Sequence, residues 1–301
     1  MKRLAVAATG AALLSSVVLS GCAAFTDDSA SSADGVEVAA AFYPLQYVAG
    51  RVAGEHAKVE NLTTPGNEPH DLELSPKETA DVARADLVLY QRGFQPAVDD
   101  AVDQSATGDT LDVADVVDLV PFRDHGVDSD ELDPHFWQDP LLLADVGDAV
   151  AEQLEEVDPD NADDYAANAA DLRADLKQLD QEYADGLTGC ERTTVVVSHD
   201  AFGYLQRYGV TMAAILGLSP DSEPTPADLA RLQELIHDDG VTTVFSESLV
   251  SPETAEQLAD DTGVKSAVLD PIEGLTDETS DEDYLSLMHA NLSALEEANG
   301  C

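Results

Sequence analysis

Three histidines and one aspartate stand apart by position in this chain of 301 residues. His70 lies in the turn Pro65-Gly66-Asn67-Glu68-Pro69-His70-Asp71, and His135 in Asp133-Pro134-His135-Phe136-Trp137-Gln138-Asp139-Pro140. His199 follows an apolar, β-rich run in Ser198-His199-Asp200-Ala201-Phe202-Gly203-Tyr204, and Asp270 ends another such run just before Pro271. Imidazole nitrogens and a carboxylate oxygen are the donors that Zn2+ takes in a tetrahedral shell. Mn2+, Fe2+ and Co2+ accept the same groups. Four filled positions leave no place for a reacting water, which marks a binding site rather than a catalytic one. The prolines before His70 and His135 restrict the backbone that presents each ring. Asp71, Asp139 and Asp200 sit beside the histidines, where a carboxylate can orient a ring N–H.

The elements that must position these residues are short strands alternating with helices. Strand candidates occupy residues 36–42, 57–62, 86–90 and 116–120 in the first half, and 193–198, 210–215, 241–246 and 265–270 in the second. Helical patterns fall between them, as at 75–83 and 225–237, the latter opened by Thr225-Pro226. Such alternation implies parallel sheets with right-handed crossovers, and ligands of open α/β sheets bind beyond the carboxyl ends of strands.

The alternation breaks in the middle. Residues 140–157 read as one helix, Asp158-Pro159-Asp160-Asn161 as its stop, and 162–187 as an uninterrupted second helix. In the latter, Tyr165, Leu172, Leu176, Leu179 and Tyr183 fall on one face. The expected fold is therefore α/β with two lobes, each a mostly parallel four-stranded sheet flanked by helices, joined by a single long rigid helix. The lobes are placed at residues 36–158 and 191–301, with the linker helix at 159–190.

Of the other histidines, His56, His237 and His289 fit turn, helix-end or surface positions. His125 lies in the acidic segment 123–132 shortly before His135 and is read as an auxiliary capture residue.

The amino terminus sets the compartment. A basic Met1-Lys2-Arg3 precedes an apolar stretch closed by Leu19-Ser20-Gly21-Cys22, a pattern that reads as a signal peptide over residues 1–21. The last four residues resemble a bacterial lipobox, which makes Cys22 the lipidated first residue of the mature chain, followed by a flexible tether over 22–35. The location expected is extracytoplasmic, anchored to the cell membrane. Cys190 and Cys301 remain without zinc-finger spacing, and in an exported protein they are expected to pair and to staple the carboxyl terminus to the entry of the second lobe. Asp and Glu outnumber Lys and Arg by 61 to 14, which argues against nucleic acid and anionic lipid as partners. These acids are spread along the chain, so they describe a solvated surface rather than a site.

Taken together, the motifs resemble the cluster A-I (cluster 9) substrate-binding proteins of bacterial ABC importers, the ZnuA- and TroA-like zinc and manganese group. The resemblance is carried by Ala41-Phe42-Tyr43-Pro44, the turns around His70 and His135, the run after Ser198, Glu223-Pro224-Thr225-Pro226, Phe245-Ser246-Glu247 and Leu269-Asp270-Pro271. It implies two α/β lobes with metal in the cleft, and ligation by His70, His135, His199 and Asp270. Glu68, His125, Asp200 and Glu247 take supporting or auxiliary roles. Manganese members usually carry glutamate where His199 stands, so the resemblance implies Zn2+, with Mn2+ (or Fe2+) as the alternative. One departure is that the segment before His135 is short and acidic, where many zinc members carry a long histidine-rich loop. The implied partners are the metal ion and the permease and ATPase complex of an importer, with the chain acting as a monomer. Some relatives have been described as surface adhesins, which is the alternative from another class. No H-E-x-x-H, phosphate loop or G-x-S-x-G elbow is present, so no enzymatic activity is expected.

Overall fold

A computed structural model describes residues 35–124 and 127–301. The leader, Cys22, the tether up to residue 34 and His125 lie outside the described residues. The first half builds a parallel sheet of β1 (Val36–Ala40), β2 (Ala57–Asn61), β3 (Leu87–Tyr90) and β4 (Asp109–Asp112), in the order β2-β1-β3-β4. All four residues of β3 are buried, as expected of a central strand covered by helices on both faces.

The fourth strand differs from the expectation at residues 116–120. It is the polar stretch Asp-Thr-Leu-Asp of β4, which adds to the sheet edge opposite β3 through its backbone, while the apolar run further on packs Val117 into the core. An edge strand has one partner and a wet flank, so it needs no apolar run. The acidic segment that follows pairs as an antiparallel hairpin of β5 (Pro121–Asp124) and β6 (Val127–Leu132).

Helices α1 (Tyr43–Ala53), α2 (Pro76–Arg84) and α3 (Pro96–Ser105) connect the first sheet. Ser75 caps α2 in a reciprocal box with Glu78, which explains why that helix starts at Pro76. Asp139 caps α4 (Pro140–Val157) by accepting from the Leu141 N–H, and Asp158, Pro159 and Asn161 separate it from α5 (Ala162–Gly186).

The second sheet repeats the plan with β7 (Thr194–Val197), β8 (Thr211–Ala214), β9 (Thr243–Ser246) and β10 (Lys265–Val268), ordered β10-β9-β7-β8 and parallel throughout. Its helices are α6 (Pro226–Asp238), boxed by Thr225 and Asp228, α7 (Glu253–Thr262) and α8 (Tyr284–Asn299).

Helix α5 buries Tyr165, Ala169, Leu172, Leu176, Leu179 and Tyr183 on one face. It lies against α1 and α4 from the first half and α8 from the second. The Tyr183 hydroxyl donates to the Met288 carbonyl at 2.7 Å, which satisfies its one polar atom in the interior. One continuous apolar core runs from β1 and β3 through α4 and α5 to Val195, Val197, Phe245 and α8. A smaller cluster around Val196, Val244, Leu232 and Leu258 fills the outer face of the second sheet. Cys190, just past α5, is bonded to Cys301, just past α8, across a sequence separation of 111 residues. Among the described residues no helix is long and apolar enough to cross a membrane.

Candidate metal centre

The three histidines arrive from three different places and meet. His70 ends a loop after β2 whose Pro69 carbonyl accepts from the buried Gln95 amide at 3.1 Å, and the edge of Phe94 packs on its ring at 4.7 Å. His135 opens a short turn before α4. Asp133 Oδ1 accepts from both the His135 backbone N–H, at 2.9 Å, and ring Nδ1, at 2.8 Å. A proton held on Nδ1 leaves the Nε2 lone pair free to ligate.

His199 follows β7 and is held by a similar device. Glu247, just past β9, accepts from the His199 backbone N–H at 3.1 Å. The same oxygen lies 2.7 Å from ring Nδ1, off the ideal hydrogen-bond direction. Gly203 makes the first of these grips feasible. A Cβ there would stand 2.5 Å from Asp133 Oδ2, so any side chain displaces the carboxylate that orients His135.

The fourth member of the cluster is Glu273, not Asp270. His70, His135, His199 and Glu273 each offer one donor atom, all within 4.8 Å of one another. Glu273 Oε1 lies 3.3 Å from His70 Nε2, 3.1 Å from His135 Nε2 and 3.4 Å from His199 Nε2, and the Nε2 atoms of His135 and His70 are 3.3 Å apart. Zinc–nitrogen bonds of about 2.0–2.1 Å at tetrahedral angles place ligand atoms roughly 3.3–3.4 Å from each other. Four of the six donor separations thus fall within about 0.3 Å of the spacing a tetrahedral zinc shell requires, and His199 lies within 4.8 Å of the other two histidines. His199 Nε2 is buried without a well-aligned hydrogen bond among the described residues, as a donor aimed at an ion would be.

Asp270 does different work. Its Oδ1 accepts from the Ile272 N–H at 2.7 Å, closing a turn, while Asn291 of α8 accepts from its backbone N–H and donates to its carbonyl. That turn carries Ile272 at φ 61°, a conformation that costs a β-branched residue of order 1–3 kcal/mol and persists only where the surroundings impose it. Along the sequence, Asp270 is the carboxylate nearest the strand end. The available signal for Glu273 was a second carboxylate in the same loop, in Pro271-Ile272-Glu273-Gly274.

Of the supporting residues, Glu247 orients His199 as described. Asp200 lines an adjacent cavity of about 550 Å3 beside Tyr204 and Arg207, and Asp139 caps α4 and pairs with Arg207. Glu68 Oε1 lies 3.9 Å from His70 Nε2. Glu68 also groups with Asp71 and Asp221 on the more open side of the site. The His70 side chain is 11% exposed against 0% for His135 and His199 and 1% for Glu273, so His70 is the member of the cluster nearest solvent.

Charge and burial are balanced inside. Burial opposes the Glu273 charge, but the three imidazoles overcome it and hold that carboxyl well below the usual range. Burial likewise disfavours the His199 cation, yet Glu247 and then Glu273 lift it to about 10, and Asp133 and Glu273 raise His135 in the same way. Burial, reinforced by Glu273, pushes Glu68 up to about 7. The metal-free site is therefore expected to favour a protonated His199, a proton that a metal must displace. Apparent zinc affinity is expected to rise about tenfold per pH unit between pH 6 and 8, with about one proton or more released per ion. Calorimetry in buffers of different ionisation enthalpy measures this directly, and an enthalpy independent of buffer would refute the protonated metal-free site.

The sequence of nearly the whole folded region also matches a known family. A family model for ZnuA, the periplasmic component A of a zinc-uptake complex, matches residues 38–298. The chain belongs to the ZnuA family. This family member is similar to the zinc-binding lipoprotein AdcA of Streptococcus pneumoniae, at 35% identity over 281 residues. That match takes in 88% of this chain but 56% of AdcA, so the chain spans little more than half the length of that relative. It is 31% identical to the high-affinity zinc uptake system protein ZnuA of Bacillus subtilis, covering 89% of each. Among solved structures, the Zn(II)-bound ZnuA-like domain of Streptococcus pneumoniae AdcA superposes with a TM-score of 0.76 at 33% identity, over 89% of this ZnuA-family chain and 100% of that domain. The laminin-binding protein Lmb of Streptococcus agalactiae, described as an adhesin with metal-transporting activity, gives a TM-score of 0.80 at 28% identity, over 88% and 99%.

Proposed function

We propose that this chain captures Zn2+ as cargo and delivers it to the permease and ATPase of an ABC importer, tethered outside the cell membrane through Cys22. The observation that carries the reading is the convergence of donor atoms from His70, His135, His199 and Glu273 within 4.8 Å of one another, with Glu273 Oε1 3.1–3.4 Å from all three Nε2 atoms and only His70 appreciably exposed. The relatives named for zinc binding and zinc uptake support the choice of ion. In this reading the lobes are residues 36–158 and 191–301, joined through 159–190, and the chain acts as a monomer.

Capture replaces the waters of the ion with three imidazoles and one carboxylate already held in place. Nitrogen-rich donors favour Zn2+ over the harder Mn2+, which prefers oxygen. Protein purified without added metal is expected to carry close to one zinc per chain, and competition should show at least a 100-fold preference over Mn2+. Retention of manganese against equimolar zinc would overturn the choice of metal. A strain lacking the protein should take up less zinc and regain growth when zinc is supplied. Unchanged uptake would favour the adhesin reading, which the likeness to Lmb keeps as the second possibility.

The closed shell leaves no coordination position for a substrate, so the geometry supports binding without catalysis.

A further inference from the structure

Glu273 sits on a loop of the second half, yet the residues that hold the loop include two from the first. The Pro271 carbonyl accepts from Trp137 Nε1 at 2.8 Å and from Gln138 Nε2 at 2.6 Å, which occupies both lone pairs of that oxygen. Trp137 and Gln138 come after His135 and Phe136 in the same short turn. The Tyr284 hydroxyl of α8 donates to the Trp137 carbonyl at 2.5 Å, which ties the turn to the second half once more.

Gln138 is a poor choice on stability grounds alone. It is fully buried, and its Oε1 has no hydrogen-bond partner among the described residues. An unpaired buried acceptor costs more than one ordinary hydrogen bond returns, and Pro271 would keep Trp137 as a donor without it. An apolar residue of the same length would serve the core at least as well. What an apolar residue cannot do is hold the Pro271 carbonyl from a second direction, two residues before Glu273 and one before the strained Ile272.

The geometry points to Gln138, assisted by Trp137, as a positioning residue for the metal site: it ties the loop of Glu273 to the turn of His135, so that two ligands from opposite halves are set by one shared contact. This rests on reading the four-donor cluster as the zinc site. Outer contacts that orient metal ligands typically change affinity 10- to 100-fold when removed.

The test is a double-mutant cycle on the full chain, read with Zn2+ by chelator competition and with Co2+ by its visible absorption. Gln138→Met is expected to weaken Zn2+ binding about tenfold and to shift the Co2+ spectrum toward that of Glu273→Gln, while the metal-free protein melts no lower than the parent. In the Glu273→Gln background the same change should alter affinity less than about twofold, because the ligand it positions is already gone. An equal loss in both backgrounds, or a lowered melting temperature with an unchanged Co2+ spectrum, would make Gln138 a merely structural residue and overturn the proposal. If Gln138→Met does not fold, Trp137→Phe, which removes the other donor to Pro271, is put through the same cycle and judged by the same outcomes. Should Glu273→Gln itself leave zinc affinity untouched, the reading of the site fails instead.

Discussion

His199→Ala is expected to lower zinc affinity by a factor of about 100 to 1,000. Apparent zinc-binding energies of about 10–16 kcal/mol, shared among four ligands, give roughly 2.5–4 kcal/mol for each. The loss is steep because the imidazole is buried and pre-oriented by Glu247, and a water entering the vacated space is neither so placed nor so strong a donor. The same assay separates the two carboxylates of the 270–273 loop. Glu273→Gln should lose affinity on a similar scale, since a carboxamide oxygen is neutral and a weaker donor. Asp270→Asn should change affinity by less than about threefold, because an amide oxygen still accepts from the Ile272 N–H and preserves the turn. Competition with a chromophoric zinc chelator measures all three. A large loss for Asp270→Asn beside a small one for Glu273→Gln would restore Asp270 as the ligand.

The second large effect concerns stability rather than binding. Replacing Cys190 and Cys301 by serine opens a loop closed across a separation of 111 residues. The chain-entropy model gives about 4–5 kcal/mol for a loop of that length, with typical measured values of about 2–4 kcal/mol. For a protein of this size the melting temperature should fall by roughly 10 °C in the metal-free state. Part of the seam survives without the bond, because Arg192 donates to the Asn299 carbonyl at 3.0 Å and to that of Ala298 at 3.2 Å. The fold should therefore persist and still bind zinc. Melting curves of oxidised and reduced protein that coincide within 1 °C would show that the disulfide contributes little.

What the sequence made legible follows from how local each signal is. The spine was readable because Tyr165, Leu172, Leu176, Leu179 and Tyr183 repeat on one helical face, and no Gly or Pro interrupts the run before Gly186. Central strands were readable as buried apolar runs. Asp109–Asp112 was not, since an edge strand is chosen by backbone pairing with Leu87–Tyr90 and its side chains carry no apolar pattern. The site divides along the same line. His70 and His135 are marked by proline-bearing turns and His199 by its place just past an apolar strand, and the structure brings all three together. Choosing between Asp270 and Glu273 required knowing which carboxylate the turn consumes, and that depends on Asn291 of α8 and on Trp137 and Gln138 from the other half. No spacing along the chain records those contacts.

The single apolar core that passes from the first sheet through α5 to the second has a consequence for signalling. A receptor built on a loose hinge announces its cargo by changing its outline, and a transporter can sort full from empty by shape. Here a large reorientation of the halves would have to break packing around Leu172, Leu176 and Leu179, all buried in that shared interior. The loaded and empty forms must therefore look nearly alike from a distance. Under the proposed function, a permease that distinguishes them would have to read a small patch near the bound ion, on the side where His70 is the most exposed of the four donors, rather than the contour of the molecule.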